Sequence, residues 1–189
     1  MKKSFLLGLF LLPLVLLAGI FVTGRTAEAS YLFIGDSRFV GMQSVVATDS
    51  SIEWIDKVGA GHRFYWQNRD AIAAHDKNTT VIYALGVNDL DASRCLKALQ
   101  DLSNLGFKRI YFVATTPIDE AKAHARGYTV TNAQIMKFNA DVAAALPPRV
   151  YDIDAYAYLL EKGIESNDGL HYQAPTYRQW YTYMMNYIR

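Results

Sequence analysis

Beyond residue 30 the chain alternates short apolar runs with longer stretches in which apolar residues recur every three or four positions. Tyr31-Leu32-Phe33-Ile34 is a continuous apolar run ended by Gly35, the pattern of a strand buried on both faces. Phe39, Met42, Val45 and Val46, within Arg38 to Ala47, have helical spacing. Ile52 to Val58 predicts a second strand, Phe64 to His75 a second helix, and Thr79 to Leu85 a third strand rich in β-branched residues. Leu96, Leu99, Leu102 and Leu105 recur at intervals of three within a helix predicted over Ala92 to Leu105, with Gly106 as its stop. Lys108 to Thr115 reads as the fourth strand, and Asn132 to Leu146 as a helix stopped by Pro147-Pro148. Arg149 to Ile153 is a short fifth strand and Thr176 to Ile188 a final helix, whose stripe of Tyr177, Tyr181, Met184 and Ile188 is expected to face the core. Strand then helix, repeated about five times, implies a parallel sheet covered by helices on both faces, an α/β fold of three layers, α/β/α.

The first thirty residues follow a different pattern. Met1-Lys2-Lys3 is a short basic start, Phe5 to Val22 is uncharged and almost wholly apolar, and Ala27-Glu28-Ala29 is a small-x-small site of the type signal peptidases cut. Residues 1–29 therefore read as an export signal, leaving one domain over 30–189 and a secreted or cell-envelope location. The apolar run approaches the ~18-residue lower limit of a membrane span, although Pro13 interrupts it, so an uncleaved anchor is the alternative. Contact with a membrane is expected only through that segment.

Composition narrows the partners. With 19 Lys+Arg against 18 Asp+Glu the chain carries a net charge of +1 and no basic blocks, which removes the electrostatic footprint of a nucleic-acid binder. Its single cysteine, Cys95, has no intramolecular partner and lies beside Leu96 and Leu99, the setting of a buried structural thiol. There is neither a His-Glu-x-x-His motif nor paired cysteine spacing for zinc.

In parallel sheets ligands gather beyond the carboxyl ends of the strands, so polar, glycine-containing stretches just after each predicted strand are the places to look. After the first strand comes Gly35-Asp36-Ser37, which would set a serine hydroxyl at a strand-to-helix turn, although this tripeptide taken alone reads better as a helix cap at Ser37. After the second comes Gly59-Ala60-Gly61-His62. Phe64 occupies the third glycine position of a dinucleotide fingerprint, so a main-chain N–H donor fits better, from Gly61 with Gly59 as the alternative. After the third comes Gly86-Val87-Asn88-Asp89, where the Asn88 amide could donate to a developing oxyanion, or where the stretch could simply be a turn with an Asx cap. Near the C-terminus Asp168 and His171 are three apart, close enough for one turn to hold the carboxylate against one ring nitrogen and leave the other to take a proton. Taken as an isolated pair, the two read better as a histidine packed at a helix start with an incidental aspartate.

Taken together, these four stretches resemble the SGNH/GDSL hydrolase superfamily in residue type, order and strand context, from Phe33 to His171. The resemblance implies a flavodoxin-like sheet of five parallel strands and a serine esterase acting through an acyl-enzyme. It makes Ser37 the nucleophile, His171 the general base and then acid, and Asp168 the residue that orients the imidazole. It makes the N–H of Ser37, the N–H of Gly61 and the side chain of Asn88 the oxyanion donors, and implies no metal or organic cofactor. The expected substrate is a small-molecule or glycan ester, with a short acetyl-like acyl group. The rivals are an acyltransferase using the same residues with a sugar acceptor, and a non-catalytic envelope-binding module. Ile118 to Thr131, polar and between the fourth strand and the following helix, is expected to form a rim or lid.

Overall fold

Runs such as Leu32-Phe33-Ile34 send consecutive side chains to opposite sides of a pleated strand, and both sides must then be covered. The computed structural model of the chain describes residues 30–47 and 50–188, so the expected export signal lies outside the described residues. Its five strands are β1 (Tyr31–Gly35), β2 (Ile52–Asp56), β3 (Thr80–Ala84), β4 (Arg109–Val113) and β5 (Val150–Ile153). All pair in parallel, in the order β2-β1-β3-β4-β5. This is the flavodoxin-like order, and it reverses direction between β1 and β3, where a crevice opens beyond the strand ends.

The helices are α1 (Ser37–Gln43), α2 (His62–Gln67), α3 (Arg69–Ala74), α4 (Ala92–Asn104), α5 (Glu120–Ala125), α6 (Asn132–Ala143), α7 (Ala155–Lys162) and α8 (Ala174–Tyr187). On one face of the sheet Leu32, Ile34, Tyr83 and Phe112 pack with Tyr65, Leu99 and Phe138 from α2, α4 and α6. On the other, Phe33, Ile82 and Ile153 pack with Phe39 of α1, Leu159 of α7 and Trp180 and Met184 of α8. Alternate residues of one strand thus feed two separate cores, which makes the three layers. Within the expected stripe of α8, Tyr177, Met184 and Ile188 are buried and Tyr181 is half-buried. Cys95 is fully buried in the α4 core.

The structure departs from the periodicity in three places. The helix expected over 64–75 is two helices broken at Asn68, whose backbone leaves the helical region (φ −110°, ψ 7°) while its amide donates to the Phe64 carbonyl. Helix α5 occupies part of the segment expected to be only a rim; it buries a single residue, Ala123, and so carries little apolar period. Helix α7 follows β5 directly, capped by the Asp154 carboxylate on the N–H of Ala157. Among the described residues no helix is long and apolar enough to cross a membrane.

Because every strand runs the same way, register aligns the chemistry. Gly35, at the end of β1, pairs with Asp56 of β2 and with Ala84 of β3, so the loops bearing Ser37, Gly61 and Asn88 leave the sheet side by side. Leu99 of α4 sits fully buried in the core on the Leu32 face of the sheet that carries these loops. Leu99→Ala is expected to cost about 2–5 kcal/mol of unfolding free energy, read from the shift of a urea unfolding midpoint.

Candidate active site

Ser37 is the first residue of α1, and the cap is its neighbour: Asp36 Oδ1 accepts the Arg38 N–H at 2.9 Å. The sequence alternative of Ser37 as cap is thereby set aside, and its hydroxyl is left for other partners. A Cβ on Gly35 would run into the Phe39 ring, so only glycine lets this turn close over the core. Asp36 is 2% exposed, and burial pushes its carboxyl up to about 6 against the pull of the Arg38 charge and N–H.

His171 and Asp168 come from the loop between α7 and α8. Asp168 Oδ1 accepts the N–H groups of Leu170 and His171 at 2.9 and 2.8 Å, and Oδ2 meets His171 Nδ1 at 2.7 Å. Burial raises the Asp168 pKa, but the hydrogen bonds from the His171 ring and from the two N–H groups outweigh it and bring it down to about 2. A carboxylate only accepts, so Nδ1 carries a proton, and in the neutral imidazole Nε2 is then the bare nitrogen. Nε2 stands 2.8 Å from Ser37 Oγ, placed to accept the hydroxyl proton. The loop is fixed from behind. Gly169 adopts φ +85°, and any side chain there would collide with the backbone of Asp119 and Ala123; its carbonyl accepts the Asp119 N–H at 3.0 Å. The Ser166 hydroxyl donates to the His171 carbonyl at 2.6 Å, and the Lys122 ammonium donates to the Ser166 carbonyl at 3.0 Å. Tyr128, in the expected rim, sets its ring edge-on to His171 with centroids 6.4 Å apart.

The remaining candidates stand on the loops that flank β1. Asn88 is exposed, and its amide donates one hydrogen bond to the Ala60 carbonyl at 2.9 Å, which ties the β3 loop to the β2 loop and leaves its second amide hydrogen free of that bond. Gly61 opens α2, and a Cβ there would fall 2.6 Å from the Asp89 carboxylate. Gly59 has φ +74° and open space around it, so its glycine character serves the turn alone.

No family model matches the chain, and no curated protein matches it. Solved structures do. A Streptococcus pneumoniae protein provisionally described as a platelet activating factor superposes with a TM-score of 0.71 at 19% identity, over 88% of this chain and 87% of that one. A GDSL-like lipase from Bacteroides thetaiotaomicron gives 0.66 at 13%, over 84% and 86%. An acetylxylan esterase from Geobacillus stearothermophilus, solved as a catalytic mutant with an aspartate replaced by alanine, gives 0.60 at 16%, over 86% and 94%. The chain has the SGNH hydrolase fold.

Within that fold the structure brings Ser37, His171 and Asp168 into one hydrogen-bonded line, and sets Gly61 and Asn88 on the loops either side. It also reveals residues that sequence reasoning passed over. Asp89 is not an Asx cap. Its Oδ2 accepts the His62 N–H at 2.8 Å and its Oδ1 lies 3.4 Å from His62 Nε2, while the cap of α4 is Asp91. His62 is wholly buried, with Nδ1 2.7 Å from the Tyr83 hydroxyl, and burial pushes its pKa down. The Tyr83-His62-Asp89 cluster therefore holds the Gly61 turn from behind. A groove of about 410 Å³ opens at Ser37 and His171, lined by Val40, Val45, Val58, Ala174 and Tyr177.

The carboxylate within the line and the one beside it respond oppositely to acid. Asp36 has a folded-state pKa of about 6 against an ordinary 3.8, so its contribution to stability is complete below 3.8 and lost as pH rises through 6. Asp168, at about 2, contributes above 3.8 and loses that contribution as pH falls through 2. Thermal melts of the wild type and Asp36→Asn between pH 4 and pH 8 are expected to show the wild type gaining on the variant as pH falls, by a few degrees. A difference that is flat with pH contradicts the buried-carboxyl assignment.

Proposed function

We propose that the chain is an exported serine esterase that hydrolyses an acyl ester through Ser37, His171 and Asp168. The observation that carries this reading is the unbroken line from the Asp168 carboxylate through the imidazole to the Ser37 hydroxyl. A serine hydroxyl is a weak nucleophile near neutral pH and requires a base within hydrogen-bond reach. The bare Nε2 at 2.8 Å meets that requirement. As Oγ attacks the ester carbonyl, its proton passes to Nε2, and the imidazolium is stabilised by the ionised Asp168. The imidazolium then protonates the departing alkoxide, leaving the acyl group on Oγ. Water entering next to Nε2 gives up a proton to it and attacks the acyl carbonyl; as the acyl–Oγ bond breaks, the imidazolium returns that proton to Oγ, releasing the acid and regenerating Ser37 with a neutral imidazole.

Negative charge builds on the carbonyl oxygen in both steps, and one well-aimed donor is typically worth about 2.7–4 kcal/mol in the barrier. The Ser37 N–H belongs to the first turn of α1, where main-chain N–H groups lack intrahelical acceptors. We assign the oxyanion to this group with the Gly61 N–H and the Asn88 amide. Gly61 is preferred over Gly59 because the Asp89 carboxylate and the His62 N–H hold its turn in place. The apolar groove beside Ser37 receives one flank of the ester. The expected export signal supports an acetyl-like ester on a cell-envelope or extracellular carbohydrate as the substrate.

The purified protein is expected to release p-nitrophenol from p-nitrophenyl acetate. Ser37→Ala should abolish turnover with an unchanged circular dichroism spectrum and melting temperature. Asp168→Asn should lower kcat by roughly 10²- to 10⁴-fold, because the amide no longer enforces the Nδ1–H tautomer. Wild-type rates in Asp168→Asn would remove that residue from the mechanism. Equal inactivity of wild type and Ser37→Ala across short and long acyl esters and acetylated glycans would favour a binding module.

A further inference from the structure

We propose that Arg38 and Tyr172, the residues that directly follow Ser37 and His171, are positioning residues that set the distance between hydroxyl and imidazole. The proposal rests on the esterase reading above. Both side chains turn inward, at 3% and 7% exposure. Arg38 Nη1 donates to the Thr116 carbonyl at 2.9 Å and to the Thr116 hydroxyl at 2.6 Å. The Tyr172 hydroxyl donates to the carbonyl of the next residue, Pro117. The guanidinium carbon lies 5.5 Å from the centre of the Tyr172 ring, so the two side chains also meet each other. Ser37 and His171 are 134 residues apart, yet each is one residue from a side chain anchored on the same dipeptide.

That dipeptide is itself clamped. Asn139 accepts the Thr115 N–H at 2.8 Å and donates to the Thr115 carbonyl at 2.9 Å. Asn132 does the same for Ile118, at 2.9 Å in both directions. The two asparagines stand seven residues apart on α6, which places them on one helix face. The segment from Thr115 to Ile118 is therefore held at both ends by main-chain bonds to one helix, and it serves as a common reference for the nucleophile and the base.

Burying a guanidinium for this purpose is costly. Its Nε and Nη2 have no hydrogen-bond partner among the described residues, and Asp36 is the buried counter-charge beside it. An apolar side chain would pack at position 38 without that penalty but would have no donor to reach Thr116. A misplacement of about 1 Å between reacting groups is worth roughly 100-fold in rate, so a reference of this kind acts on kcat rather than on substrate binding.

The test compares full-length wild type with Tyr172→Phe, Arg38→Met and Arg38→Lys, measuring kcat, KM and the second-order rate of Ser37 labelling by a fluorophosphonate. Tyr172→Phe, which loses only a hydroxyl, is expected to lower kcat and the labelling rate together by about 10-fold or more with KM within twofold. Arg38→Met should lose about 100-fold, and Arg38→Lys should recover part of that loss because a single donor atom makes both bonds to Thr116. The double variant should lose less than the product of the single losses. Active-site titration separates a slow site from a partly unfolded sample. Wild-type kcat and labelling in folded Tyr172→Phe and Arg38→Met, or losses confined to KM or to the number of active sites, would overturn the proposal alone. A wild-type chain that neither labels nor turns over would overturn the esterase reading, and this proposal with it.

Discussion

The chemistry open to this fold depends on a neutral imidazole suspended between a carboxylate and a hydroxyl. Asp168 holds one nitrogen of His171 at 2.7 Å and Ser37 meets the other at 2.8 Å. The direction of the line comes from the carboxylate, which has no proton to give and so compels Nδ1 to donate. Were Asp168 protonated, the ring could settle in either tautomer, and Nε2 would no longer be reserved as the acceptor. Two main-chain N–H groups on Oδ1, added to the ring on Oδ2, keep the carboxyl ionised well below neutral pH. The interaction is thus built largely within the loop between α7 and α8, with Lys122 and Asp119 tying that loop to α5 and its cap.

The sheet supplies what that loop cannot, a fixed place for the serine. Parallel strands in register bring the ends of β1, β2 and β3 level, and the turn after β1 is so tight that Gly35 has no room for a side chain. The polar residues buried behind this edge, Asp36, Arg38 and His62, oppose folding as isolated charges or dipoles, and each is tolerated because it is hydrogen-bonded: Asp36 to the Arg38 N–H, Arg38 to Thr116 and His62 to the Tyr83 hydroxyl. Stability in this region is exchanged for a single geometry. The two apolar cores on either face of the sheet carry the compensating burial.

Most of the fold was legible because its strands are continuous apolar runs and its longer helices have a clear period. The strand order followed from the family resemblance, and the five parallel strands from the alternation of elements. Helices α5 and α7 escaped notice for physical reasons: α5 buries only Ala123, and α7 is short and begins at an aspartate cap immediately after a strand. The break at Asn68 was hidden because the buried residues on either side of it, Tyr65 and Ile72, stand seven positions apart, a helical interval. In the site, Ser37, His171 and Asp168 could be picked out because their spacing relative to strands and glycines is local. Arg38, Tyr172, Asn132 and Asn139 could not, since their partners lie 24 to 78 residues away, apart from Asn132 at 14, and they contact main-chain atoms that leave no mark in the sequence. The alternative of an Asx cap after the third strand covers both Asp89 and Asp91, since any aspartate in a turn ahead of a helix can cap it. Asp91 performs that task, and Asp89 instead holds His62.

The most direct test of the hydrogen-bonded line is to treat the folded full-length protein with a fluorophosphonate and map the adduct by peptide mass spectrometry. A single phosphonyl group on Ser37, forming at a rate that falls sharply in His171→Ala, is the predicted result. Labelling of another residue, or labelling of Ser37 at the same rate in His171→Ala, would contradict the claim that this imidazole activates this hydroxyl.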